Sequence, residues 1–228
     1  LAVNLVKTIS TLKKENMSNE DIAERAYDIG RNKLNWMVGK QDEYISAFGG
    51  FNFIQFKNDD VTVNKIPINK NSLLELEKNV LLFYIGKTRN SSNILENQIK
   101  LIKENNPETI NALHYVKELS EKMYSSLSQS DIIKFAELLN SGWEAKKKFT
   151  NGITNQYVND LYNLGIKSGA LGGKLTGAGG GGHMLFYCEP SKQKNLIEKM
   201  NEQGLKQVKS KFYESGCKVL DLYDFTNS

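Results

Sequence analysis

Seven of the chain's 18 glycines fall in the eleven residues Gly172-Gly173-Lys174-Leu175-Thr176-Gly177-Ala178-Gly179-Gly180-Gly181-Gly182. Glycine loses more conformational freedom on ordering than any other residue, so such a cluster is tolerated only where the backbone needs positive φ or must approach another group closely. Successive backbone N–H groups in a segment of this kind form a nest that binds anions. A flexible linker is the plain alternative. Linkers, however, are usually Gly/Ser mixtures, and this tract holds Lys174 and Thr176 and runs into an apolar strand at residues 183–188. Close approach to a phosphate is therefore the better reading. Gly177, Gly179 and Gly182 satisfy G-x-G-x-x-G, but a dinucleotide site needs a helix after the glycines and here a strand follows. A Walker A loop fails as well, because Gly173-Lys174 is followed by Leu175.

A second stretch with possible chemistry is Gly39-Lys40-Gln41-Asp42-Glu43-Tyr44, followed by Phe48-Gly49-Gly50-Phe51-Asn52. A carboxylate near a helix N-terminus is within reach of backbone donors, which favour its ionised form. Asp42 in that setting can accept a proton from a hydroxyl. The competing reading is an ordinary N-terminal capping aspartate.

Around these two stretches the pattern is that of a mixed fold. Leu1, Leu5, Ile9 and Leu12 recur at helical spacing and predict a helix over residues 2–15. Ser18 with Asp21 three residues on predicts a capping box, and then a helix whose inward face includes Ile22, Ala26 and Ile29. A short helix is expected over residues 42–47. Alternation of Phe51, Phe53, Gln55 and Lys57 predicts a strand, with residues 61–66 as its hairpin partner. The apolar run at residues 80–85 reads as a buried strand that opens a second lobe. Residues 91–149 read as helical, broken at Pro107 and again at Ser128, Ser130 and Asp131. Further helices are expected at 157–167 and 191–202, and a last strand at 207–212.

Composition narrows the class without choosing a function. Of the 228 residues, 39% are hydrophobic and 25% charged with both signs interspersed, which describes a globular chain and not a disordered one. The net charge of +4 suits anionic small molecules, and no aromatic-basic stripe or zinc-finger spacing argues for nucleic acid. Neither a membrane span nor a leader is evident, so a cytoplasmic protein with no membrane partner is expected. Cys188 and Cys217 match no metal spacing and are expected to be reduced thiols without chemistry.

Taken together, the two glycine-bearing stretches resemble the GHMP kinase superfamily. Residues 174–182 look like its third, C-terminal glycine motif, and residues 39–52 like the segment that carries its catalytic aspartate. Gly86-Lys87-Thr88-Arg89-Asn90-Ser91-Ser92, Trp143-Glu144-Ala145-Lys146-Lys147-Lys148 and Gly152-Ile153-Thr154-Asn155 are similar to its heptose 7-phosphate kinase branch. The resemblance implies an α+β, two-lobe fold: an incomplete N-terminal, ATP-binding lobe over residues 1–77, and a C-terminal lobe over 78–228 with a small antiparallel sheet backed by helices. It further implies transfer of the γ-phosphoryl group of ATP, with Mg2+, to a sugar phosphate, at the anomeric hydroxyl of D-glycero-D-manno-heptose 7-phosphate. Asp42 is then the general base. Lys40, Gln41, Arg89, Lys174, Thr176, Gly177, Ala178, Gly179, Gly180 and Gly181 are candidate substrate or phosphate contacts. For Arg89 a surface ion pair is the alternative, and Lys146, Lys147 and Lys148 read as a solvated helix face.

The chain also departs from the family's pattern. The two upstream motifs are expected before Leu1, so these residues read as an N-terminally truncated kinase that holds ATP poorly by itself. Where the family places a magnesium-binding glutamate, this chain has Gly30; Asp28 or Glu24 would sit one helical turn out of place. Glu43 stands where the family often has Gln and is expected to raise the pKa of Asp42. The alternatives are a kinase for another sugar, such as fucose or galactose, and a catalytically inactive sugar-binding protein.

Overall fold

The computed structural model describes residues 1–58, 60–87 and 91–220. The fold is mixed: helices accompany two small antiparallel sheets, in two compact units. One unit is Leu1–Ile66 joined by the segment that begins at Phe212, and the other is Pro67–Lys211. The changeover between these compact units falls at Ile66/Pro67, and the chain returns to the first unit near its end.

The first unit opens with α1 (Ala2–Leu12) and α2 (Asn19–Asp28). Ser18 caps α2 as the spacing predicts: its Oγ accepts from the Asp21 amide at 3.0 Å, and the Ser18 amide donates to Asp21 Oδ2 at 2.9 Å. The Ser18 hydroxyl, which donates to Asp21 Oδ2 at 2.7 Å, and then the Ser18 amide hold the Asp21 carboxyl below its usual pKa. Ile22 and Ala26 are buried as expected, but α1 buries Val3, Val6 and Ser10, leaving Leu1, Leu5, Ile9 and Leu12 exposed. After α2 the helix widens into a π turn over Ile29–Lys33. Then come α3 (Gln41–Phe48) and the hairpin of β1 (Asn52–Lys57) with β2 (Asp60–Lys65), paired Asn52 to Lys65 through Lys57 to Asp60.

The segment from Phe212 crosses the end of α3. The Gly50 amide donates to the Tyr213 carbonyl at 2.9 Å, and the Cys217 amide to the Ser46 carbonyl at 3.0 Å. A Cβ on Gly216 would lie 1.9 Å from the Ala47 carbonyl oxygen, so only glycine permits this crossing. The glycines that follow the Asp42 helix are therefore packing residues: a Cβ on Gly49, at φ 66°, would meet the Gly216 amide nitrogen at 2.2 Å.

The second unit is built on a four-stranded antiparallel sheet of order β4-β5-β3-β6, with β3 (Val80–Lys87), β4 (Gly172–Leu175), β5 (Gly181–Tyr187) and β6 (Gln207–Val208). Its helices are α4 (Lys70–Asn79), α5 (Ser91–Lys103), α6 (Pro107–Ser128), α7 (Ile132–Lys146), α8 (Gln156–Lys167) and α9 (Pro190–Glu202). The breaks fall where capping chemistry puts them. Asn106 accepts from the Thr109 amide with Pro107 at the first helical position, and Asp131 accepts from the Lys134 amide at 2.9 Å. Phe83, Trp143, Val158, Leu175, Met184, Phe186, Leu196 and Met200 are all buried in one core. Each such aliphatic or Phe side chain contributes about 1.5–3 kcal/mol of burial.

Three elements differ from the sequence reading. α4 does not show in the pattern because its apolar residues divide between faces, Leu76 buried and Leu74 exposed. β4 lies inside the glycine tract, where weak strand propensity is overridden by pairing with β5 and by contact with α7: a Cβ on Gly172 would sit 2.0 Å from the Ala136 carbonyl oxygen. The last strand pairs with β3 only at Gln207 and Val208, because the chain then leaves for the first unit.

Candidate active site

In the first unit Asp42 is the second residue of α3 and is exposed. It makes no hydrogen bond or ion pair among the described residues. Lys40 occupies the N-cap position without a side-chain cap bond, so Asp42 is not the capping residue; it stands in the first turn, where unpaired backbone amides favour a carboxylate. Gln41 beside it is exposed.

The group that fixes this turn enters the sequence reasoning only as a misplaced metal ligand. Glu24, from α2, accepts from Lys40 Nζ at 2.6 Å and from the Tyr44 hydroxyl at 2.5 Å, through the same Oε1. Tyr44 is fully buried, stacked on Phe48 and edge-on to Phe56. Burial opposes the Glu24 charge, but the bonds from Lys40 and Tyr44 outweigh it and hold the carboxyl below its usual pKa. The Tyr44 phenol is pushed well up, by burial first and then by its bond to Glu24. Lys40 is thus committed to Glu24, with its ammonium also 5.3 Å from the Tyr27 ring centre.

The expected repulsion between neighbouring carboxylates is expressed at Glu43. Burial raises its pKa, and the charge of Asp42 adds to the rise. Glu43 Oε2 is buried with no hydrogen-bond partner. Glu43 is the member of the pair that loses water.

The magnesium test fails at the expected place. Gly30 is buried in the π turn beside the Val38 and Trp36 side chains and offers no ligand. Glu24 is held by Lys40 and Tyr44, and Asp28 accepts from Asn32 at 2.7 Å. No group of three or more His, Cys, Asp or Glu able to hold a metal occurs among the described residues.

In the second unit the glycine tract is a hairpin. β4 and β5 pair from Gly172/Tyr187 to Leu175/Met184, and the turn between them carries positive φ at Gly177, Gly179 and Gly180. Two bonds fasten it. The Thr176 amide donates to the His183 carbonyl at 2.9 Å, and the Gly180 amide to the Ile153 carbonyl at 3.0 Å. A Cβ on Gly179 would come 2.8 Å from Ile153 Cα, so the turn is pressed against Ile153. The Gly152-Ile153-Thr154-Asn155 stretch is thereby explained: Ile153 clasps the turn, and Asn155 caps α8 by accepting from the Val158 amide at 2.9 Å. The Thr176 hydroxyl is engaged within the hairpin, donating to the His183 carbonyl at 3.1 Å. The amides of Gly177 and Ala178 donate to no acceptor among the described residues, which leaves two donors for an anion.

Two lysines belong to this hairpin's surroundings. Lys174 projects from β4, and Lys146, at the end of α7, donates from Nζ to the Gly177 carbonyl. Both are half-buried. Burial, and then repulsion from Lys174, bring the Lys146 ammonium down to about 8; burial also lowers Lys174. The solvated-face reading is corrected for Lys146, because the last turn of α7 rotates it toward the hairpin. Lys147 is half-buried, pairs with Glu144 at 2.7 Å and lies over the Trp143 ring, while Lys148 is exposed. Arg89, with the neighbouring Thr88 and Asn90, lies outside the described residues. Cys188 and Cys217 are free thiols.

Residues 117–206, which include this hairpin, match the family model of the GHMP kinases C terminal. This segment is a GHMP kinase C-terminal domain. Within that class the chain is 34% identical, over 96% of its length, to D-glycero-alpha-D-manno-heptose 7-phosphate kinase of Campylobacter jejuni subsp. jejuni, and it spans 64% of that relative. It is 26% identical over 77% of its length to L-fucokinase/L-fucose-1-P guanylyltransferase of Bacteroides fragilis, of which it spans 19%. Among solved structures, a D-glycero-D-manno-heptose 1-phosphate kinase from Bacteroides thetaiotaomicron superimposes with a TM-score of 0.70 at 25% identity, over 96% of this chain and 63% of that one. No helix among the described residues is long and apolar enough to cross a membrane.

Proposed function

We propose that the full-length protein is an ATP-dependent sugar kinase that phosphorylates the anomeric hydroxyl of D-glycero-D-manno-heptose 7-phosphate. The observation that carries this reading is the exposed, unpaired Asp42 carboxylate in the first turn of α3, a base available to a hydroxyl. The 34% identical relative supplies the substrate class. ATP, when bound, supplies the γ-phosphoryl group. Asp42 takes the proton of the sugar hydroxyl as that oxygen bonds to phosphorus and the bond to ADP breaks. The free amides of Gly177 and Ala178 hold phosphate oxygens. The division expected from the sequence, an ATP-binding lobe before residue 78 and a C-terminal lobe after it, belongs to the same proposal, as do the contacts assigned to Lys40, Gln41, Arg89, Lys174 and residues 176–181.

ADP release by the full-length protein, followed with and without the heptose 7-phosphate and with fucose and galactose in parallel, tests the reading. Heptose-dependent turnover is expected, and Asp42→Asn is expected to lower kcat about 10²- to 10⁴-fold. Turnover with fucose or galactose alone would move the substrate. A second reading, an inactive sugar-binding protein, is favoured by Gly30 at the expected magnesium position and by the engagement of Glu24. Saturable sugar binding without ADP release would establish it.

A further inference from the structure

Lys146, bonded at the Gly177 turn, and Lys174, on the β4 strand of the same hairpin and near enough to repel it, are both half-buried, and no carboxylate pairs with either among the described residues. The contrast with their neighbours is sharp. Lys147, one residue along the same helix, pairs with Glu144 at 2.7 Å, and Lys134 near the start of α7 pairs with Glu137 at 2.9 Å. Two ammonium groups that lose water and repel each other disfavour the fold unless an anion completes the arrangement. Lys146 meets only the Gly177 carbonyl, a neutral acceptor, and the adjoining amides of Gly177 and Ala178 are unused.

We propose that Lys146 and Lys174 form a two-cation seat for a phosphate monoester dianion, closed by the Gly177 and Ala178 amides. Lys146 leaves the Gly177 carbonyl and turns its ammonium to the incoming oxygens. Two ammonium donors balance a dianion, and charge-assisted bonds to phosphate oxygens are stronger than the bond to a neutral carbonyl. The depressed pKa of Lys146 agrees with a cation waiting for its counter-charge. The seat deepens the kinase reading, on which it rests for its ligands; the phosphate is that of the sugar or the terminal one of the nucleotide.

Isothermal titration with inorganic phosphate tests the seat on the wild-type chain and on Lys146→Met, Lys174→Met and the exposed-lysine control Lys148→Met, with far-UV circular dichroism to confirm folding. Because a hydrogen bond to a charged group contributes about 1.5–3 kcal/mol, either seat variant is expected to weaken phosphate roughly tenfold or more. The control should bind as the wild type. Equal phosphate affinity in Lys146→Met and wild type overturns the proposal. If Lys174→Met does not fold, Lys146→Met alone decides, with Lys146→Gln as its polar check. Repeating the titration in the full-length protein with heptose 7-phosphate and with a non-hydrolysable ATP analogue identifies the source by whichever ligand Lys146→Met weakens. The kinase reading fails separately, if the wild-type full-length protein releases no ADP with any sugar while the seat still binds phosphate.

Discussion

Around α3, the charge brought in from α2 is met on arrival: Glu24 receives Lys40 at 2.6 Å and the Tyr44 hydroxyl at 2.5 Å, and its negative charge is favoured by them. Around Gly177 the opposite holds. Lys146 and Lys174 give up water without a counter-charge, and their ammonium forms are disfavoured by burial. The first arrangement is complete without a ligand and fixes the helix that carries Asp42. The second is complete only with an anion. A structural ion pair and a binding site are thus distinguishable by whether the protein supplies both signs.

The largest effect expected separates the two regions by their glycines. In the first unit, Gly216→Ala places a methyl 1.9 Å from the Ala47 carbonyl oxygen, with backbone on both sides, and should cost about 3 kcal/mol, at the upper end for overpacking. In the second, Gly177→Ala meets nothing within 4 Å and carries only the strain of φ 74°, about 1–2 kcal/mol. Urea denaturation of both variants checks the order, and the reverse order would mean that the tail crossing does not hold α3.

Next comes the bridge at Glu24. Tyr44→Phe removes one of its two donors and should cost about 1–1.5 kcal/mol. Glu24 titrates below its ordinary value in the fold, so its contribution is present above the usual carboxylate range and is lost as pH falls through the depressed pKa. The difference between Tyr44→Phe and wild type should therefore narrow in acid. A difference that is flat with pH would show that the phenol acts by packing alone.

What could be read beforehand divides along the same line. Ser18 announces a helix start, and Asp131 a break, because capping is a local bond between residues three apart, and the structure makes both bonds; the caps at Asn106 and Asn155 use the same local chemistry but do not figure as caps in the sequence reading. The glycine tract could be found because its composition is unusual in itself, whereas Asp42 becomes the candidate base only through the resemblance that the two stretches carry together. Lys146 could not be found, since in a run of three lysines nothing local says which one the helix turns toward a distant hairpin. Glu24 is hidden for the same reason: its partners Lys40 and Tyr44 are 16 and 20 residues away, and only the packing of α2 on α3 joins them. The glycines at 49 and 216 are legible as unusual, but their reason, a crossing of chain segments far apart in sequence, is not.

A smaller effect tests the missing counter-charge directly. Lys146 titrates near 10.5 when unfolded and at about 8 in the fold, so between these values the unfolded chain holds the extra proton. Stability then rises with pH across this window, and the penalty is fully present below about 8. Lys146→Met lacks that dependence. Its thermal midpoint relative to wild type should be most favourable on the acid side of the window and least favourable on the alkaline side. Added phosphate should stabilise the wild type more than Lys146→Met at the same concentration, by filling the seat.

The smallest effect concerns Glu43, the one group beside Asp42 that resembles the lysines of the other region. Its carboxyl is half-buried, Oε2 has no partner, and burial together with Asp42 raises its pKa. The folded state therefore keeps its proton longer than the unfolded chain, and stability falls as pH rises from the ordinary carboxylate value through the raised one. Glu43→Gln removes the charge at nearly constant shape. Its gain over wild type should be absent in acid, appear as pH climbs through that window and then stay level, at about 1 kcal/mol or less. Thermal midpoints of the two proteins across the acid range measure it. A loss at neutral pH would instead mean that the ionised carboxylate is wanted where it stands, and α3 would then share with the Gly177 turn a charge held ready for something outside the chain.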